Sequence, residues 1–206
     1  MRLYIGLVHY PVYNKNHQRI ASAITIMDLH DISRLAKTYD ARKFFVITPL
    51  VDQQTLAERV RRHWTEGYGS RYNEDRKEAF DLIAVVPSLD QAVNDIAALE
   101  GEVPLLIATG ASSREKHSIS FEQARSFIRA EKALMLMLGT AWGLDKEVLR
   151  EADYVLAPIA GRKDYNHLSV RTAAAIMLDR LTREGLPGSK EDASSQEVTG
   201  GIHEHN

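Results

Sequence analysis

The sequence predicts an α/β fold with a mostly parallel sheet and helices on both of its faces. Short apolar runs alternate with amphipathic stretches of about ten to fifteen residues, a pattern typical of parallel strands joined by helices. The apolar runs are hydrophobic throughout, which indicates strands covered on both faces. No run approaches the roughly 18 consecutive apolar residues of a membrane span, so we expect no membrane contact.

The boundaries of the predicted elements follow from hydrophobic periodicity and from the turn residues between periodic segments. The predicted strands are residues 3–8, 43–48, 82–86, 104–108, 133–138 and 154–156. The predicted helices are residues 20–39, 53–64, 89–99, 120–130, 144–151 and 168–183. Residues 68–74 contain Gly and Asn and are predicted to form a loop. Ser120 and Gln123 are predicted to form a capping box at their helix.

Composition indicates one domain and a tail. Residues 185–206 are rich in Gly, Ser and Glu and have little apolar surface to bury, so we predict a disordered C-terminal tail after a domain of residues 1–184. The chain has no cysteine, which excludes disulfides and thiolate metal sites. The first apolar run is predicted to be a strand and not a signal peptide, so we expect a cytoplasmic protein.

The charge of the chain limits how it could bind nucleic acid. Its formal net charge is −2, whereas proteins that rely on phosphate contacts tend to be basic. Binding of nucleic acid would therefore depend on a local positive patch. The candidate patch is either a phosphate-binding ridge or an ordinary solvated helix face without that function. The dense positive cluster of the sequence contains Arg59, Arg61, Arg62, His63, Arg71, Arg76 and Lys77.

Small and hydroxyl residues follow several of the predicted strands. They occupy residues 109–113, 139–143 and 157–161. Ligands of open parallel sheets lie beyond the carboxyl ends of the strands, and glycines let a backbone approach a ligand closely. These loops therefore predict a ligand site, although each taken singly could be an ordinary strand-to-helix turn. Within them, Trp142 is expected to pack on a neighbouring side chain rather than to stack on a base.

Residues 134–181 resemble the cofactor-binding end of SPOUT methyltransferases. The positions that match are Gly139, Gly143, Leu144, Pro158, Gly161, Leu168, Val170 and Ala173. The resemblance implies a C-terminal trefoil knot, binding of S-adenosylmethionine with S-adenosylhomocysteine as product, and an RNA substrate such as tRNA or rRNA.

Two further segments resemble motifs of the same superfamily. Residues 28–39 resemble its first motif, with Arg34 on the motif arginine, Asp28 in place of an Asn and His30 in place of a Gly. Residues 106–112 resemble the loop after the preceding strand. HYPVYN, DLHDISR and DYNHLSVR recur in a less characterised RNA methyltransferase-like SPOUT group, which this chain most resembles.

The chain also departs from the family pattern. The loop at 139–143 is one residue shorter than usual and lacks its Glu. His167 and Ser169 stand where the ribose-methylating branch has Ser and Asn, so the methyl acceptor cannot be carried over.

The strand-end loops and the resemblance together predict the residues of the site. The cofactor is expected to contact Thr109, Gly110, Leu138, Gly139, Thr140, Gly143, Ala157, Ile159, Gly161, Asn166, Leu168 and Ser169. The substrate is expected to contact Arg59, Arg61, Arg62, Arg162 and His167. Asn166 has a structural alternative, since it is well placed to cap the last helix.

The predicted catalytic residues are Arg34, His30 and Asp31. Arg34 would hold a phosphate or lower the acceptor's pKa; its alternative is a salt bridge with Asp31 or Asp28. His30 would act as a general base or is a structural histidine. The spacing of Asp28 and His30 on a helix argues against a shared metal ion.

The favoured hypothesis is therefore an RNA methyltransferase. The resemblance implies a homodimer that pairs through the first and last helices, in which Arg34 of one subunit could complete the site of the other. The sequence adds support, because the last helix is apolar around much of its circumference and a partner could cover it. The alternative hypothesis is a knotted protein that binds RNA or cofactor without catalysis, which the missing Glu and Asn and the acidic balance favour. A nicotinamide-dependent enzyme is disfavoured, because no G-x-G-x-x-G follows the first strand.

Overall fold

The computed structural model describes residues 1–110, 117–163 and 165–183. The strands are β1 Leu3–Val8, β2 Val12–Tyr13, β3 Arg19–Ile20, β4 Lys43–Ile47, β5 Ile83–Val86, β6 Leu105–Ala108, β7 Ser118–Ile119, β8 Leu134–Gly139 and β9 Tyr154–Leu156. The helices are α1 Ile26–Thr38, α2 Val51–Thr65, α3 Tyr68–Tyr72, α4 Glu74–Phe80, α5 Leu89–Glu100, α6 Phe121–Arg129, α7 Lys146–Glu151 and α8 Val170–Thr182. The tail predicted at 185–206 lies outside the described residues.

Seven strands form one sheet in the order β5-β4-β1-β8-β6-β9-β7. Every neighbouring pair in it is parallel, which confirms the predicted fold class. The register places Val8 beside both Ile47 and Gly139, so β1, β4 and β8 end at the same edge. The trefoil knot that the resemblance implies stays a prediction.

Helices cover both faces of this sheet, because successive side chains of a strand point to opposite sides and both sides are apolar. On one side, Ile5 and Leu7 of β1 belong to a buried cluster that also contains Leu29 of α1 and Leu178 of α8. On the other side, Tyr4 belongs to a second cluster with residues of α5 and α7. Both faces of the sheet are therefore buried under helices, as uniformly apolar strands predict.

The first helix begins later than predicted. Residues 19 and 20 belong to an antiparallel hairpin, in which Val12 pairs with Ile20 and Tyr13 with Arg19. Thr25 then caps α1, and its hydroxyl accepts a hydrogen bond from the Asp28 N–H at 3.2 Å. The predicted helix began too early because the apolar residues before Ile26 have helical spacing, although residue 20 pairs in a strand.

The loop predicted at residues 68–74 is wrong, because α3 and α4 occupy this segment. Gly69 allows a close helix contact: a Cβ there would lie 2.7 Å from Cε3 of Trp64. Asn73 is the N-cap of α4 and accepts from the Arg76 N–H at 2.8 Å. Residues that are frequent in loops serve here as a packing surface and a helix cap.

Two predicted helix starts have different outcomes. The capping box of Ser120 and Gln123 is confirmed. The last helix begins at Val170, and its cap is Ser169, whose hydroxyl accepts from the Thr172 N–H at 3.2 Å. Asn166 lies three residues before that cap, so its structural alternative, capping the helix, is wrong.

No helix in the described ranges is long and apolar enough to cross a membrane.

Candidate functional site

A cavity of about 590 Å³ lies where β6, β8 and β9 end and where α1 and α8 begin. It is lined by Ser22, Ala23, Thr25, Asp28, Thr109, Gly110, Leu138, Gly139, Thr140, Ala141, Trp142, Gly143, Ile159, Asn166, His167, Leu168, Ser169, Val170, Ala173 and Met177. Its volume falls within the roughly 300–1,000 Å³ of small-molecule pockets, and it lies at the edge where parallel sheets bind ligands.

The structure brings most of the predicted cofactor residues together at this cavity. All of them except Ala157 and Gly161 belong to its lining. The Ala157 N–H donates to the Ile119 carbonyl at 2.8 Å, which continues the pairing of β7 with β9. A Cβ on Gly161 would be 2.7 Å from the Tyr165 carbonyl oxygen. The parts of the predicted loops at 111–113 lie outside the described residues.

The loop at 139–143 is held in a fixed shape by the β2 strand. The Trp142 N–H donates to the Tyr13 carbonyl, and the Tyr13 N–H donates to the Gly143 carbonyl, both at 3.0 Å. Gly143 has a φ of +102°, a conformation that favours glycine. A Cβ on Gly139 would lie 2.7 Å from the Leu144 nitrogen. This wall of the cavity is therefore shaped before any ligand arrives.

The cavity combines apolar surface with hydroxyl groups. Leu138, Ile159 and Met177 supply apolar side chains that a planar ring could contact. Thr109 and Thr140 are buried at the strand ends, and the Thr109 hydroxyl donates to the Met137 carbonyl at 2.9 Å. An apolar pocket with a few placed polar groups is the usual arrangement for binding a small-molecule ligand.

The hydrogen bonds of His9 and Ser22 extend this wall, and the sequence analysis missed both residues. His9 is fully buried, and burial lowers the pKa of its imidazole to about 4. Its Nδ1 lies 2.9 Å from the Ser22 Oγ, which lies 2.6 Å from the Thr140 Oγ1. His9 directly follows β1, so its position at a strand end was a signal that could have identified it.

An acidic group of α1 also reaches the cavity. Asp28 is 8% exposed and lines it. Arg171 of α8 lies between two carboxylates, with its Nε 3.4 Å from the Asp28 Oδ1 and its Nη1 3.7 Å from the Asp31 Oδ2. These ion pairs join the two helices that form one side of the site.

The predicted catalytic residues lie outside the cavity lining of this chain. His30 packs edge-on against Phe80 and Trp64, with ring centroids 4.8 and 5.4 Å apart. Burial, and then the positive charge of Arg76, lower the pKa of His30. This aromatic environment favours the structural alternative for His30 within one chain.

Arg34 is exposed, and the salt bridge with Asp31 or Asp28 considered as its alternative does not form. Both carboxylates pair with Arg171 instead. Within the described residues Arg34 has no carboxylate partner, so its guanidinium faces solvent.

The predicted substrate residues are divided between two places. His167 lines the cavity, whereas Arg59 and Arg62 line a separate groove of about 530 Å³ on α2. Arg61 is paired with Glu58 at 2.9 Å, and Arg162 is exposed. Trp142 is 66% exposed, so the expectation that it packs on a neighbour is wrong.

In residues 1–110, 117–163 and 165–183, no group of three His, Asp or Glu side chains is arranged to hold a metal ion.

A parallel sheet with a cavity of this size at its carboxyl edge is the arrangement of an α/β protein with a small-molecule site. Comparison with known proteins identifies the family within this class. Residues 2–183 match the family described as SAM-dependent RNA methyltransferase. The chain therefore belongs to this family, whose cofactor is S-adenosylmethionine.

Individual relatives agree with this assignment. A "tRNA (guanine-N(1)-)-methyltransferase" of Oleidesulfovibrio alaskensis is 42% identical over 184 residues, which are 89% of this chain and 43% of that protein. An Aquifex aeolicus protein without an assigned function is 34% identical over 180 residues, 87% of each chain. The chain thus spans about two fifths of the length of the named relative.

A solved structure shows the shared fold. The SpoU methyltransferase AviRb from Streptomyces viridochromogenes superposes with a TM-score of 0.52 at 18% identity, over 87% of this chain and 58% of that one. The predicted SPOUT class is confirmed at the level of the fold.

Proposed function

We propose that this chain transfers the methyl group of S-adenosylmethionine to a nucleotide of RNA. The observation that carries the proposal is the cavity, which gathers the strand-end loops and the start of α8 into one ligand site. The non-catalytic alternative is less well supported, because the family of this chain is one of methyltransferases.

The cavity suits the chemistry of the cofactor. The apolar side chains of Leu138, Ile159 and Met177 can contact an adenine ring, and the hydroxyls of Thr109 and Thr140 offer polar contacts at its edge. When bound, S-adenosylmethionine supplies an electrophilic methyl group on a sulfonium. The chain must then hold the acceptor close to that methyl group and exclude competing geometries.

Exposed aromatic rings beside the cavity are suited to hold the acceptor base. Trp142 lines the cavity and is 66% exposed, and Tyr165 is 77% exposed and packs edge-on against His167. Single-stranded nucleotides are commonly bound by stacking on such rings. We infer that RNA presents an unpaired nucleotide here, and tRNA is the first substrate to test because the relative of 42% identity is named for tRNA.

We propose that two copies complete the site. Arg34 lies outside the cavity of its own chain, yet it could reach that of a partner that packs on α1 and α8. Ile26 and Met27 at the start of α1 are 50% and 60% exposed, and covering them would be favourable. Sedimentation at tens of micromolar should give a dimer; a monomer would remove Arg34 and Asp31 from the catalytic proposal.

The groove on α2 is proposed to contact RNA phosphates. Arg59 and Arg62 are exposed and line it, which would provide the local positive patch that the net charge requires. Replacing both with Gln should weaken RNA binding and reduce its salt dependence. Arg150→Gln, which removes an exposed arginine of α7, is the matched control. We also propose that the chain acts in the cytoplasm, where tRNA is available as a substrate.

One experiment tests the function directly. The protein is titrated calorimetrically with S-adenosylmethionine and then incubated with methyl-labelled cofactor and bulk tRNA or rRNA, followed by nucleoside mass spectrometry. Gly139→Val is a poor negative control, because even a Cβ there would collide with the Leu144 nitrogen. Ala23→Trp, on an exposed part of the cavity lining, fills the site instead.

Ala98→Trp, on the exposed side of α5, is the matched control. We expect labelled RNA with the wild type and Ala98→Trp, and none with Ala23→Trp. Cofactor binding without any labelled nucleoside would favour the non-catalytic alternative.

A further inference from the structure

The protons of three buried or half-buried groups beside the cavity can be assigned from their contacts. The Thr140 hydroxyl donates to the Val8 carbonyl at 3.0 Å, because a carbonyl oxygen can only accept. The Ser22 hydroxyl then donates to Thr140, because the two oxygens are 2.6 Å apart and the Thr140 proton is already used, whereas its other acceptor, the His9 carbonyl oxygen, is 3.5 Å away. The Ser22 oxygen is left to accept from His9 Nδ1 at 2.9 Å.

This order fixes the protonation of His9. Its Nδ1 carries the proton, and its Nε2 is buried without a hydrogen-bond partner in the described part of the chain. Protonating Nε2 would bury an unpaired N–H on a charged ring, which is costly. The neutral form of His9 is therefore favoured. The hydrogen bonds then run in one direction, with His9 donating to Ser22, Ser22 to Thr140 and Thr140 to the Val8 carbonyl.

The consequence for the cavity is a lack of hydroxyl donors on this wall. The protons of Ser22 and Thr140 are directed into the protein, and so is that of Thr109, which donates to Met137. Ser22 and Thr140 line the cavity, and each retains a lone pair for a ligand. Asp28, also in the lining and paired with Arg171, adds a further acceptor to the cavity.

We propose that Ser22 and Thr140 form a subsite for an N–H donor of the bound cofactor, with His9 as the positioning residue that keeps their protons turned away from it. The proposal rests on the proposed function only in taking S-adenosylmethionine as the ligand. The cofactor carries two such donors, the 6-amino group of its adenine and its α-ammonium group. A carbonyl oxygen of a ligand would find no hydroxyl donor at Ser22 or Thr140.

Calorimetry with cofactor analogues tests the subsite without methyl transfer. S-adenosylhomocysteine has both donors, and 5′-methylthioadenosine has the 6-amino group but lacks the ammonium. Ser22→Ala and Thr140→Val should weaken S-adenosylhomocysteine binding by about 10- to 100-fold if the donor is charged, and by about two- to tenfold if it is neutral. Ser33→Ala, which removes a buried hydroxyl outside the cavity, should change nothing.

Variants of His9 test its positioning role. His9→Leu removes the donor and frees the Ser22 hydroxyl to turn, so it should weaken binding several-fold. His9→Asn retains an N–H near the position of Nδ1 and should restore most of the affinity. A purely structural role would lower the melting temperature of both variants without this difference in affinity.

These measurements show which donor group of the cofactor binds at the subsite. They also distinguish a failure of the subsite proposal from a failure of the proposed function. Loss of affinity for S-adenosylhomocysteine alone assigns the α-ammonium to the subsite. Loss for both analogues assigns the donor to the nucleoside part that they share, and the same loss with a ribose hydroxyl removed from the analogue then leaves the 6-amino group. Unchanged affinity of folded Ser22→Ala and Thr140→Val for both analogues overturns the subsite. Normal analogue binding by the wild type with no methyl transfer to any RNA would instead overturn the proposed function and leave the subsite standing.

Discussion

Replacing His9 with Asn should flatten the dependence of stability on pH below neutrality. In the folded protein the His9 pKa is lowered to about 4 by burial, and the charge of Asp28 opposes this shift without overcoming it. In the unfolded chain the imidazole has its ordinary pKa of about 6.5. Between these two values the unfolded state binds the proton and the folded state does not, so acidification favours unfolding.

The size of this effect follows from the two pKa values. A difference of about 2.5 units at about 1.4 kcal/mol per unit gives a loss of roughly 3 kcal/mol between pH 6.5 and pH 4. The destabilisation is absent above about pH 6.5 and reaches its full size as the pH falls to the folded pKa. For a chain of this size, the loss corresponds to a decrease of about 6–12 °C in melting temperature.

Urea unfolding of the wild type and His9→Asn at several pH values between 4 and 7 measures this difference. Other groups that titrate in this range, His30 among them, affect both proteins alike and cancel in the comparison. We expect the two stability curves to converge by roughly 3 kcal/mol as the pH is lowered. Parallel curves would show that His9 is protonated in the folded protein, and the hydrogen-bond order inferred for Ser22 would fail with it.

Further predictions concern Arg34 and two helix caps. Arg34→Ala should slow single-turnover methyl transfer by about 10²–10³ with little change in cofactor affinity or melting temperature, and Arg34→Lys should also be impaired; unchanged turnover in both would exclude Arg34 from the site. Asp145→Ala should cost about 2–3 kcal/mol in urea unfolding, because this buried carboxylate caps α7 and binds the Arg19 guanidinium through both oxygens; a loss below about 0.5 kcal/mol would contradict this. Ser169→Ala should cost about 1 kcal/mol and Asn166→Ala almost nothing, and the reverse order would contradict the cap assigned to α8.

The sequence was most informative where a single periodic pattern governs a segment. β1 and β9 have the predicted bounds, and every parallel strand except the two-residue β7 was expected. The hairpin of β2 and β3 was not, because two-residue strands carry too little periodicity to detect. The helices at 68–80 were missed because Gly69 and Asn73 were interpreted as loop residues. In the structure, Gly69 leaves room for the Trp64 ring and Asn73 caps α4.

In the candidate site, too, residues marked by local sequence could be predicted, and residues whose role depends on distant contacts could not. Strand-end glycines and threonines are local features of the loops that line the cavity, so Thr109, Gly139 and Thr140 could be selected before the fold was known. Ser22 lies in a segment without periodicity, and its role depends on a contact with Thr140, 118 positions away. His30 and Arg34 were chosen by motif position, and only the packing of Trp64 and Phe80 shows which face of α1 they occupy.

The place of β8 in the sheet has a consequence for how the chain acquires its structure during synthesis. β8 lies between β1 and β6, and the bond that joins its end to β1 spans 132 positions, from Thr140 to Val8. Until residues 134–139 leave the ribosome, β1 has an open edge and cannot be joined to β6. Contacts of such long range are slow to form, so a growing chain should gain its ligand-binding wall among its last steps, and nascent chains ending before residue 134 should not retain the cofactor.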